Sequence, residues 1–212
     1  MKLIHTSDWH LGRSFHGVGL LGAQEEYVDH LVRTVREESV EAVLVSGDVY
    51  DRALPPPDAV RLLSDAVTRL IDAGARVVLS SGNHDSAIRL GFASDLLSRA
   101  GLDIRSDVAT VGTPVLVGDV AVYPIPYLEP ALVRHLWPEE TLRTHEQVVR
   151  HAMRLINDDR AARGGRSVAT WIPSRRSGAW KPSRAGESWL PLVTTTRAPA
   201  SRMPVSMSVR RR

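Results

Sequence analysis

Short apolar runs alternate with longer stretches of helical repeat over the first 168 residues. Lys2-Leu3-Ile4-His5-Thr6, Val43-Leu44-Val45 and Val77-Val78-Leu79-Ser80-Ser81 have the length and β-branched content of buried strands. Between the first two, Ala23 to Glu38 predicts a helix with Tyr27, Leu31 and Val35 on one face. Pro57 suits the first turn of the next helix, whose apolar stripe is Val60, Leu63, Val67 and Leu70, with Gly74 as its stop. A third helix is expected from Leu90 to Ala100, capped by Gly101. This strand–helix alternation predicts parallel pairing. Val115-Leu116-Val117 and Val120-Ala121-Val122-Tyr123, joined by Gly118-Asp119, predict a hairpin. Pro138 is expected to open a long helix carrying Leu142, Val149, Met153 and Ile156, ending near Gly164-Gly165, and Ser167-Val168 to start another strand.

Three polar clusters follow the three apolar runs. They are Ser7-Asp8-Trp9-His10-Leu11-Gly12, Ser46-Gly47-Asp48-Val49-Tyr50-Asp51-Arg52 and Ser81-Gly82-Asn83-His84-Asp85. In a parallel α/β sheet the carboxyl ends of the strands open onto one crevice. Carboxylate, imidazole and amide groups converging there are the oxygen and nitrogen donors that hard or borderline cations take. Asp8 and His10 are two apart, so an extended exit projects both to one side. Asp48 is able to bridge two cations through its two oxygens, and Asn83 supplies a neutral carbonyl ligand. Gly47 and Gly82 are expected to turn the backbone sharply before the ligands. His84 is placed to meet a phosphate or leaving-group oxygen as a cation or acid. One Asp-x-His or Gly-Asp alone is ordinarily a turn or a helix cap. Three in order, each at a strand end, favour metal binding.

Composition narrows the class. The chain has no Cys, which suits a reducing cytoplasm. It begins with a charged residue and a short strand, without a signal-peptide pattern, and no apolar run reaches membrane-spanning length, so no membrane partner is expected. The net charge of +3 hides two halves: residues 1–168 balance at −5 and residues 169–212 at +8. The basic character therefore belongs to the tail.

The quoted strings resemble the motifs of calcineurin-like metallophosphoesterases: Asp8-x-His10, Gly47-Asp48-x-x-Asp51 and Gly82-Asn83-His84-Asp85. The fuller contexts His5-Thr6-Ser7-Asp8-Trp9-His10-Leu11-Gly12 and Ser81-Gly82-Asn83-His84-Asp85-Ser86 resemble the SbcD family of nuclease subunits. The resemblance covers residues 1–168 and implies an α/β fold, a four-layer αββα sandwich that is C-terminally incomplete. It implies two Mn²⁺ ions and phosphodiester hydrolysis in DNA, by exonuclease and endonuclease action, in DNA repair, recombination and replication. It implies DNA, an SbcC-type ATPase and a second copy of the chain as partners. By position it implies Asp8, His10, Asp48 and Asn83 as metal ligands and His84 as a catalytic residue. Asp51, by analogy with related phosphoesterases, is expected to hydrogen-bond His84 and raise its basicity; a helix cap or a solvated loop charge is the equal alternative. Arg52, Arg89 and His16 are candidate DNA contacts, with plain surface positions as the simpler account. His5 and His30 are expected to be structural, and His145 and His151 to lie on different helix faces.

In the SbcD family the strand at Ser167-Val168 leads to a metal-binding His, and a later Gly-His-x-His supplies two more. This chain has no His after His151, so the second metal position is depleted. From residue 169 the sequence is rich in Arg, Pro, Ser and Trp. Trp171-x-Pro173, Trp180-x-Pro182 and Trp189-x-Pro191 recur every nine residues. The tail is read as a segment with no evolved fold, as a shifted frame would give; the competing reading is a basic module that stacks on single-stranded nucleic acid. Two other functions compete with the nuclease: a phosphoesterase acting on a small phosphodiester or phosphoprotein, and a non-catalytic truncated remnant.

Overall fold

The alternation of apolar runs and helices builds two facing β-sheets with helices on their outer faces. The computed structural model describes residues 1–171 and the two residues of a short strand, Ser208–Val209. The Trp180 and Trp189 repeats, and the expectation that the tail lacks a fold as it bears on residues 172–207 and 210–212, lie outside the described residues, whereas Ala169 and Thr170 complete the strand Arg166–Thr170 and Ser208–Val209 form another.

The first sheet contains β1 (Leu3–Ser7), β4 (Ala42–Ser46), β5 (Arg76–Ser80) and β6 (Leu102–Arg105), parallel and in that spatial order. Strand β10 (Ser208–Val209) pairs antiparallel on the free edge of β1. β2 (Ser14–Phe15) and β3 (Val18–Gly19) form a small ribbon after the first strand end. The second sheet holds the hairpin β7 (Val115–Val117) and β8 (Val120–Pro124), with β9 (Arg166–Thr170) parallel to β8.

Period-two alternation sorts the strand residues between layers. Val43, Val45, Val77 and Leu79 face helices α1 (Leu21–Glu38) and α2 (Pro57–Asp72). Ala42, Leu44 and Val78 point the other way and meet Val115, Val117, Val120 and Val122 of the second sheet. Ala121 and Tyr123 turn outward onto α6 (His145–Arg163), against Val148, Val149, Ala152 and Ile156. The order is helix, sheet, sheet, helix. Strand β4 is buried along its whole length, which is why it reads as an unbroken apolar run. Among the described residues no helix is long and apolar enough to cross a membrane.

Four expectations need correction. Val60 is exposed, whereas Leu63, Val67 and Leu70 are buried as expected and Ala59, Leu62 and Ala66 complete the buried face of α2. The helix expected over Leu90–Ala100 is two short pieces, α3 (Ala87–Leu90) and α4 (Ser94–Ser98). Ala93 breaks them with a left-handed φ of 56°, and Gly91 packs so tightly on Ser106 that a Cβ there would overlap its hydroxyl. The late helix starts at His145, not Pro138. Thr144 and Gln147 form a reciprocal capping box, and Leu142 is buried in the loop before it. Gly82 is also not needed for a sharp turn, since its φ is not in the left-handed region. One further segment, α5 (Pro130–Val133), caps the loop after β8.

Candidate metal centre

Three strand exits build the site, and hydrogen bonds between them continue past the sheet. The N–H of Asp8 donates to Gly47 O at 3.3 Å, that of His10 to Asp48 O at 2.9 Å, and that of Gly47 to Ser80 O at 2.9 Å. The first exit is not extended: Asp8 (φ 56°) and His10 (φ 44°) occupy the left-handed region, as does Asp48 (φ 47°) at the exit of β4. Non-glycine residues seldom adopt it, and such strain concentrates at functional sites. The tight path still brings Asp8 and His10 together. His10 Nε2 lies 3.9 Å from Asp8 Oδ1 and 3.7 Å from Asp48 Oδ2.

Buried polar side chains hold this path. Gln24, on α1, donates to the carbonyls of Trp9 (3.1 Å) and His10 (2.8 Å) and accepts from Gly12 N–H (3.1 Å). Asp85 accepts from the N–H groups of Gly82 (2.8 Å), Tyr50 (2.9 Å) and Val49 (3.1 Å), tying the β4 exit to the β5 exit. Burial raises the Asp85 pKa, and the three N–H donors oppose that shift. Asp85 belongs to the third motif, whereas Gln24 lies outside all three. Its place on the apolar stripe of the helix, three after Leu21 and four before Val28, is the signal that marks Gln24.

Asp48 is itself buried. Its Oδ1 accepts the N–H of His84 at 3.0 Å. Gly82 lies directly against it: a Cβ there would overlap both the main-chain nitrogen and the carboxylate of Asp48. Close approach, not a turn, is what requires glycine at this position.

His84 stacks edge-on against His10, with ring centroids 4.8 Å apart. Its Nδ1 is 2.8 Å from the main-chain oxygen of Asp51. A carbonyl only accepts, so Nδ1 carries the proton and Nε2 of the neutral ring is left as a lone-pair donor. The expected bond from the Asp51 carboxylate to His84 is therefore not the one formed. That carboxylate faces His10 instead, with Oδ1 3.5 Å from Nδ1, and also lies 3.9 Å from the Nε atoms of Arg13 and Arg52.

The donor atoms of His10, Asp48 and His84 all fall within 4.8 Å of one another. Asp8 borders this group through His10, and Asn83 shares a small cavity with Asp48. His84 thus sits among the ligand candidates, closer to them than its purely catalytic assignment anticipated. Burial raises the Asp8 pKa, opposed by a 2.6 Å hydrogen bond from the Ser7 hydroxyl and reinforced by Asp48. Burial also lowers the pKa of His10, keeping its imidazole neutral.

These residues fit a divalent cation. Nitrogen and oxygen donors are mixed, and buried His10 Nδ1 has no hydrogen bond although it faces the Asp51 carboxylate. Rotation into a shared bond would complete the carboxylate–imidazole support usual for metal-bound His. Of the outer candidates, Arg52 reaches the cluster only through Asp51, and Arg89 and His16 stand outside it. Arg52 is exposed; Arg89 is exposed and donates to Ala53 O at 3.3 Å; His16 packs on Phe15 at the ribbon turn, with ring centroids 4.3 Å apart. His5 is structural as expected, 2.8 Å from the Ser46 hydroxyl. His145 and His151 make separate contacts, with Leu128 O and with Arg154.

With fold and cluster in place, the comparison with protein families agrees. The family model for calcineurin-like phosphoesterases matches residues 1–191, and the chain belongs to that family.

Proposed function

We propose that this metallophosphoesterase is a Mn²⁺-dependent nuclease of the SbcD type, hydrolysing phosphodiester bonds in DNA. The observation that carries the reading is the His10–Asp48–His84 group, with Asp8 beside it, at the carboxyl ends of β1, β4 and β5. Family membership supports phosphoester hydrolysis, and the Asp8-Trp9-His10-Leu11-Gly12 context supports DNA as the substrate.

Asp8, His10, Asp48 and Asn83 are the groups that would hold the cation. When bound it supplies Lewis-acid polarisation of the phosphoryl oxygen and a water of lowered pKa. The chain's own residues do the rest. Asp48 and Asp8 provide negative charge that selects a cation over a free anion. Asp51 O holds the His84 ring in one tautomer. In its protonated form His84 is placed to donate to a phosphate or leaving-group oxygen as charge develops. Arg52 and Arg89 are proposed to meet DNA phosphate from the exposed rim.

An SbcC-type ATPase and a second copy of the chain are the proposed partners. Support for a protein partner comes from the exposed apolar side chains Ile88, Phe92 and Leu96, 88, 79 and 65 % exposed, which follow the third motif. The test of substrate class is direct competition. Purified chain with Mn²⁺ is given end-labelled duplex DNA, a small aryl phosphodiester and a phosphopeptide. Preferential DNA cleavage supports the proposal; activity on the small ester or phosphopeptide alone assigns the other phosphoesterase reading.

A further inference from the structure

We infer that this site takes one divalent cation, and that the place a second would occupy is closed by an aromatic wall centred on Trp171. The inference rests on the metal reading above and corrects the paired ions that family resemblance implies.

Donor placement comes first. A two-ion site holds its cations about 3.5–4 Å apart, each needing its own ligands, with a carboxylate between them. Among the described residues Asp48 is the one carboxylate in the donor group, and its two oxygens already face different ways. Oδ2 points to His10 at 3.7 Å, and Oδ1 is held by the His84 N–H at 3.0 Å, pressed against Gly82. The imidazoles of His10 and His84 lie together on one flank.

The other flank of Asp48 opens on the small cavity it shares with Asn83. Across that cavity stand Ile125, Tyr127 and Trp171. The second sheet puts them there. Pairing of β8 with β9 runs to Pro124 opposite Thr170, and Ile125 N–H donates to Thr170 O at 2.9 Å. Trp171 is the next residue, so the β9 strand end presents an indole where a metal site needs a lone pair. Indole nitrogen is a donor only and ligates no cation. Tyr127 is committed elsewhere, its hydroxyl donating to Glu129 at 2.8 Å. The chain beyond Trp171 contains no His, Asp, Asn or Cys, and one carboxylate, Glu187. Its own residues therefore furnish ligands for one cation.

The experiment is a Mn²⁺ titration of the full chain by calorimetry, with electron paramagnetic resonance on the loaded protein. One equivalent and the six-line spectrum of an isolated ion are expected. Trp171→His puts an imidazole on the β9 strand end and is expected to raise the uptake towards two equivalents, whereas Trp171→Phe keeps it at one. Two equivalents with an exchange-coupled signal in the parent overturn the inference. A parent and a folded Trp171→His chain that both take one overturn the role given to Trp171. No uptake at all overturns the metal reading itself and the inference with it, whereas one equivalent without DNA cleavage upholds the inference and counts against the nuclease proposal alone.

Discussion

His84 bonds through Nδ1 to the main-chain oxygen of Asp51, at 2.8 Å, and not to its carboxylate. The distinction separates two residues that the motif would join. Orientation of His84 then depends on the path of the loop after β4, while the Asp51 side chain acts on His10, 3.5 Å away.

Mutations should therefore split by effect. His84→Ala is expected to lower Mn²⁺-dependent hydrolysis by about 10²–10³ fold, the usual size for one positioned donor. Asp51→Ala is expected to leave the His84 bond intact and to weaken Mn²⁺ binding by about 10–100 fold, as loss of a ligand's carboxylate support does. Paired calorimetry and rate measurements on the two variants check this; equal effects on both quantities would refute the division.

Asp85 ties three main-chain N–H groups from two strand exits. Asp85→Ala leaves those donors without their acceptor, and each hydrogen bond to a charged group contributes about 1.5–3 kcal/mol. A loss of at least about 2 kcal/mol in urea unfolding is expected, with weaker Mn²⁺ binding, because Asp48 and Tyr50 share one exit. An unchanged urea midpoint would show that the clamp is dispensable.

Much of this frame was legible before the structure. Strand ends at Asp8, Asp48 and Asn83 followed from apolar runs, and the hairpin at Gly118-Asp119 from its turn residues. The start of α6 was also readable, because Thr144-x-x-Gln147 is a capping box, but Pro138 is the louder signal. Other features depend on contacts between distant segments, which local pattern does not encode. The left-handed φ of Asp8 and His10 is set by Gln24 and the β4 exit. Gly82 answers to Asp48, and Gly91 to Ser106. The exchange of the Asp51 carboxylate for its carbonyl at His84 depends on backbone direction alone, which residue identity leaves open.

His5 makes stability depend on pH. Burial lowers its pKa from the usual 6.5, so the folded chain binds fewer protons than the unfolded chain just below that value. The stability is therefore full above about pH 6.5 and falls as pH drops through the folded-state pKa. Urea unfolding between pH 7.5 and 5 should show the decline, and His5→Gln should flatten it. A slope unchanged in the variant would assign the effect to another group.

Leu44 is 1 % exposed and sits between the two sheets against the β7–β8 hairpin. Leu44→Ala should destabilise by about 2–5 kcal/mol, the range for truncating a buried leucine. Chemical denaturation measures it. A loss under about 1 kcal/mol would mean that the sheets do not pack face to face as described.

The central claim is metal-dependent phosphodiester hydrolysis at the His10–Asp48–His84 group, and cleavage of end-labelled DNA tests it most directly. The parent chain with Mn²⁺ should release labelled product, chelation should stop it, and Asp48→Ala should lose both Mn²⁺ binding and cleavage. A parent that binds Mn²⁺ yet leaves DNA intact, or an Asp48→Ala chain that cleaves as the parent does, would contradict the account.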